Sequence, residues 1–176
     1  DIFGVKFNGK YHKHENHNYF QIDKKSLIAN TADYNRAPLC LLTVEVQTVG
    51  KQTIHAMTMK DLPGRYTALT SPEFPLIVEN TAGKGRCYYF AGSFGAMFNE
   101  YHPAEYRRIV EAILSKHAKP VVELPNAPNT IEIVLRQNEN GIYLHIVNYS
   151  TGFTRPFESI VPLHNLKIKF SKKMEV

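Results

Sequence analysis

The sequence predicts a β-rich α+β fold: a sheet with one main amphipathic helix at about 103–117, followed by a small antiparallel β domain. Three patterns predict it. Apolar residues alternate with polar ones over Leu42–Gln47 and again from Ile131 onward, the two-residue period of a half-buried strand. Between these segments Tyr106, Ile109, Val110, Ile113 and Leu114 fall at i, i+3, i+4, i+7 and i+8, which places them on a single helical stripe. The stretch VELPNAPN at 122–129 holds two prolines and two asparagines in eight residues, so regular structure should break there. It divides the chain into regions 1–119 and 120–176.

Taken in order, residues 1–36 mix aromatic with polar groups and predict short strands turning at Asn8-Gly9 and near Asn16, anchored by Tyr19, Phe20 and Ile22. LLTVEVQT at 41–48 sets Leu42, Val44 and Val46 against Thr43, Glu45 and Gln47, and Val49-Gly50-Lys51 offers a hairpin turn into QTIHAMTM. Pro63-Gly64, Pro72 and Pro75 then punctuate a loop with at most a short edge strand. LIVEN, the turn TAGKG and RCYYFAGSFG predict a hairpin whose second strand, apolar on both faces from Cys87 to Ala91, should be central. GSFGAMFNEYHP at 92–103 is expected to be a loop between strand and helix, a position that suits ligand contacts. Pro103 fits a first helical turn, Glu105 the positive end of the helix dipole, Lys116 and His117 the negative end, and Pro120 stops the helix. Beyond the boundary, TIEIVLRQ and IYLHIVNYS predict a hairpin turning at Asn138–Gly141, with SIVPL and NLKIKF as further short strands.

Composition narrows the function. A chain of 176 residues with 43% hydrophobic content can enclose a real core, and no apolar run approaches the roughly 20 residues that span a bilayer, so no membrane partner is expected. The net charge of +5 is scattered: Lys6, Lys10, Lys13, Lys24 and Lys25 sit among acidic and polar neighbours, and KFSKKMEV suits a solvated tail, so no nucleic-acid partner is expected either. The chain opens on Asp1, and its first residues lack the apolar core of a secretory signal, which fits a processed form or a piece of a longer protein. Compartment therefore stays open. Cys40 and Cys87 form no CxxC pair and sit in apolar runs, as small buried hydrophobes do.

No catalytic constellation can be assembled. His12, His14 and His17 lack a convergent fourth ligand and are expected as surface histidines in a loop, so no metal is assigned. The glycines at 83, 85, 92 and 95 match no phosphate-binding fingerprint, and no cofactor is assigned. Neither cysteine lies on a Gly-flanked elbow, GxSxG is absent, and Glu45, Glu73, Glu79 and Glu100 show no spacing that marks a facing acid and nucleophile. One polar and aromatic set remains in HIVNYSTGFTRP: His145, Asn148, Tyr149 and Arg155, which could hydrogen-bond to a sugar and stack on it. The favoured reading of these residues is that Asn148 and Thr151 satisfy turn backbone while Tyr149 and Arg155 pack on the sheet.

Several of these motifs together resemble the C-terminal part of bacterial glycoside-hydrolase-like proteins related to β-galactosidases. They are GKGR leading into an apolar strand, the aromatic-rich segment before Tyr101–Arg108, the run His145–Tyr149 and the Arg155-Pro156 pair, with DIFGV at the start. In that family a catalytic (β/α)8 barrel is followed by an amidotransferase-like domain, called the trimerisation domain, and then by a small β domain. The resemblance implies that residues 1–119 are the C-terminal portion of the amidotransferase-like unit and 120–176 the small β domain. It further implies a non-catalytic accessory or assembly region, whose partner is the parent's barrel or another subunit, with a homo-oligomer expected. A carbohydrate-binding module is the alternative, and a self-contained glycosidase a more distant one.

Overall fold

The most regularly alternating segment does form a strand, but not with the partner its turn suggests. In the computed structural model, which describes residues 2–14, 18–60, 71–151 and 159–171, the chain makes two units, 1–117 and 118–176. The first runs β1 (Val5–Lys13), β2 (Tyr19–Ile22), a 3-10 turn (Asp33–Asn35), β3 (Arg36–Pro38), β4 (Leu42–Thr48), β5 (Thr53–Met59), β6 (Pro72–Ala82) and β7 (Gly85–Phe90). Helices α1 (Phe94–Tyr101) and α2 (Ala104–His117) complete it. A five-stranded antiparallel sheet has the order β3-β2-β5-β6-β7, and β1 pairs with β4.

Backbone bonds join these two sheets into one curled, half-barrel surface. Leu39 N donates to Asn18 O (2.9 Å) and His14 N to Leu41 O (2.8 Å), so residues 36–48 run antiparallel to both β2 and β1. At the other edge of β4, Val44 N donates to Ala91 O (2.9 Å) and Ser93 N to Leu42 O (3.0 Å), with Thr43 bridging Gly92. A Cβ at position 92 would collide with the Cys40 thiol and press to 3.1 Å from Leu42 O, so only glycine lets the chains approach this closely. The core of this unit is formed by Phe20, Ile22, Leu39, Ala56, Leu76 and Ile77 together with Tyr106, Ile109 and Ile113 of α2. Phe94 links helix to sheet, its ring 4.3 Å from that of Tyr106 and 4.8 Å from that of Phe90.

Several local expectations yield to this long-range pairing. β4 turns at Gly50 toward β5, yet the two never pair, because β4 already holds β1 and the Ala91–Ser93 segment while β5 lies between β2 and β6. Asn8-Gly9 is not a hairpin turn but a bulge within β1, where the register slips between Phe7 and Tyr11 and Gly9 takes φ +89°. Pro72 and Pro75 stand inside the eleven-residue β6; they face Met59 and Met57, where the β5–β6 register is irregular, so their missing N–H groups interrupt no regular ladder. β7 pairs only with β6 along its length and is not central; its apolar outer residues are half covered by aromatic neighbours. Of the predicted helical stripe, Tyr106, Ile109 and Ile113 are buried while Val110 and Leu114 face solvent.

The second unit contains β8 (Val122–Glu123), β9 (Ile131–Asn138), β10 (Gly141–Asn148) and β11 (Lys169–Phe170). β9 and β10 form the predicted hairpin in unbroken register from Asn138↔Gly141 to Ile131↔Asn148, and β11 pairs with β8. SIVPL forms no strand; Pro162 removes a donor, and Val161 O is instead taken by the Asn148 side-chain amide at 2.9 Å. Asn126 in the boundary segment accepts from Lys167 N (2.7 Å) and donates to Asn165 O (2.8 Å), fixing the two ends of the unit to each other.

Candidate functional site

The predicted ligand set lies on and after β10, where alternation separates its members. His145 stands opposite Val134 and shares a face with Tyr143 and Arg136, whereas Asn148, three residues on, belongs to the other face. His145, Tyr143, Arg136, Gln137 and Asn138 line an open depression of about 660 Å³. Asn148 is committed to backbone: its Oδ1 accepts from Ser150 N (2.9 Å) and its Nδ2 donates to Val161 O. Tyr149 bonds through its backbone N to Thr130 O (2.9 Å), and a hydrogen bond to the Glu132 carboxylate holds its exposed phenol above the usual tyrosine range. Arg155 lies outside the described residues.

The segment expected as a ligand loop, 92–103, is mostly helix. Ser93 precedes α1, and His102 ends it in a left-handed conformation (φ 51°) before Pro103 starts the next helix. Met97 is buried beneath it, so α1 is a packing element.

A densely bonded polar group in the first unit was not singled out by sequence. His55, 2% exposed, lies across the sheet from Glu79, which is 4% exposed. His55 Nε2 donates to Glu79 Oε2 at 2.8 Å, and Nδ1 meets the Ser26 hydroxyl at 2.8 Å. Arg86 donates to the other Glu79 oxygen, and Tyr88 stacks over the His55 ring at 5.8 Å while its hydroxyl meets His117 Nε2 at 2.7 Å. Burial opposes charge on Glu79, but hydrogen bonds from His55 and Arg86 outweigh it and hold the carboxyl below the usual range. Burial first, and the Glu79 charge second, push the Tyr88 phenol up to about 12. The order Ser26–His55–Glu79 imitates a catalytic triad, but the imidazole is sealed in the sheet and Ser26 Oγ also accepts from Ile28 N (3.1 Å). It fastens the 23–35 loop to the sheet. Glu79 directly follows the apolar run Leu76–Val78 and His55 lies between Ile54 and Ala56, so a place inside an apolar strand segment, and not alternation, was the available signal.

The histidines at 12 and 14 also differ from expectation, since they belong to β1 and its end and not to an exposed loop. His14 is buried with Nε2 at 2.7 Å from Thr43 Oγ1, and His12 Nε2 donates to Glu45 Oε2 at 3.1 Å. His12, then Asn8 and Lys10, hold the Glu45 carboxyl below the usual range against a smaller opposing effect of burial. His17 lies outside the described residues. Cys40 is fully buried and its thiol is pushed up to about 11 by that burial; both cysteines are free.

No protein-family model, curated protein or solved structure matches the chain.

Proposed function

We propose that this chain is a non-catalytic assembly region of a glycoside-hydrolase-like protein, and that it self-associates through its second unit. One observation carries the self-association. Among the described residues 118–176, Val122 is the only buried apolar side chain. Ile131, Ile133, Leu135, Ile142, Leu144 and Ile146 nevertheless line one face of the β9–β10 hairpin, and none of them is buried. A two-stranded hairpin gains little stability alone and needs its apolar face covered. That face carries no charged residue, so a second copy can meet it about a two-fold axis without like-charge repulsion. The link to glycoside hydrolases rests on the motif resemblance at GKGR, Tyr101–Arg108 and His145–Tyr149.

Supporting a non-catalytic role, His55 and Glu79 are buried in the sheet, Ser26 Oγ is engaged by both His55 Nδ1 and Ile28 N, and Asn148 is held by Ser150 N and Val161 O. Light scattering on the purified chain should give a mass above 20.1 kDa that rises with concentration. A constant 20.1 kDa over a hundredfold concentration range would overturn the reading.

A further inference from the structure

The loop from Asp23 to Asn35 presents an aromatic ring at a conformational cost that its own packing does not repay. Tyr34 (φ 54°) and Asn35 (φ 54°) are consecutive left-handed residues, and Asn30 (φ 65°) is a third. Asn adopts this region readily; a tyrosine rarely does. The Tyr34 ring is 89% exposed, so no buried contact accounts for its conformation. Strain of this kind gathers at sites that bind.

The loop is nonetheless firmly built. Asn30 N donates to Asn35 Oδ1 (3.1 Å), Asn35 N to Ala32 O (3.1 Å), and the Thr31 hydroxyl to Ile28 O (2.7 Å), while Ile28 and Ala32 are buried. Beside Tyr34, Gln21 and Arg36 face each other across β2 and β3. Gln21 Oε1 accepts from Arg36 Nε at 3.0 Å, and Gln21 Nε2 donates to Asn35 O (3.0 Å) and Ile22 O (3.2 Å). The amide thus aims the guanidinium, using one of its five N–H groups and leaving the fork without a carboxylate partner among the described residues. Asp23, Lys24, Tyr34, Asn35 and Arg36 surround an open groove of about 620 Å³, within the range of small-ligand sites.

We propose that this groove binds an acidic saccharide, with a sugar carboxylate on the Arg36 fork and the C–H face of the ring on Tyr34. Arg suits a carboxylate because two parallel N–H groups match its two oxygens. Asp23 offers its remaining acceptor sites to sugar hydroxyl groups; its Oδ1 already accepts from Lys25 N at 2.7 Å. This groove lies in the first unit and does not depend on self-association, since a monomer could carry it.

The test is calorimetry of the full chain with a linear trisaccharide of galacturonic acid, its uncharged galactose counterpart, and inorganic phosphate. The acidic trisaccharide should bind saturably, the neutral one about tenfold or more weakly because it lacks the charge-assisted contact to Arg36, and phosphate not measurably because it has no ring face for Tyr34 and no sugar hydroxyls for Asp23. Arg36→Gln should weaken the acidic sugar by about tenfold or more. Tyr34→Gly separates binding from folding: glycine relieves the left-handed backbone, so thermal stability should hold or rise while binding is lost. Absence of binding, equal affinity for the neutral sugar, phosphate binding at the same groove, or unchanged affinity in either variant would each overturn the proposal. None of these results depends on the mass seen by light scattering.

Discussion

Replacing Glu79 with leucine should be among the more damaging single changes available in the first unit. Its carboxylate, nearly dry within β6, is the acceptor for both His55 Nε2 and Arg86. With it gone, a buried imidazole N–H loses its only acceptor, a cost of about 1–3 kcal/mol. Arg86 is half exposed and returns to water, so its share stays under about 1 kcal/mol. The sum is about 1–4 kcal/mol. Glu79→Gln keeps one acceptor oxygen and the shape, and should lose about half as much. Urea unfolding followed by circular dichroism reads the change as a lower midpoint at constant slope. Acid supplies a second readout. Because the folded carboxyl titrates below its unfolded value, its stabilising contribution is complete above the ordinary glutamate pKa. It is lost as pH falls through the folded pKa, so the gap between the native chain and Glu79→Gln should narrow below about pH 4. A Glu79→Leu chain within about 0.5 kcal/mol of the parent would refute this account of the network.

Gly92→Ala should destabilise the chain by about 1–3 kcal/mol in the same urea assay, since the added methyl meets the Cys40 thiol where β4 and the end of β7 close. Cys40 should resist alkylation at pH 8 in the folded chain and react once urea unfolds it, because it is fully buried and its thiol is held near 11; rapid native-state labelling, located by peptide mass, would contradict that.

Where the fold depended on local period, it was legible. The hairpin 131–148 follows from the alternation beginning at Ile131 and the turn at Asn138–Gly141, and the helix from Pro103 through the 106–109–113 stripe. Pairing partners were not legible, because they are set at a distance. Val49-Gly50-Lys51 looks like a hairpin from inside, but β2, arriving from 30 residues earlier with Phe20 and Ile22 fully buried, takes the β5 edge. Pro75 looks like a strand breaker, and an irregular register in β5–β6 accommodates it. The candidate groove was hidden for a different reason. A left-handed Tyr34 leaves no compositional trace, since the strained positions carry ordinary residues and not glycine. Glu79 was treated as a scattered carboxylate and His55 was passed over, although both are buried in their strands.

On the proposed assembly, the aliphatic face of the β9–β10 hairpin is covered by a second copy of the chain. Sedimentation velocity on the native chain and on a Leu135→Glu, Leu144→Glu double variant tests it most directly, since both leucines lie on that face at directly opposed positions. The native chain should sediment as a concentration-dependent oligomer and the folded double variant as a 20.1 kDa monomer. A native chain that remains at 20.1 kDa, or a double variant that assembles as the native chain does, would contradict the account.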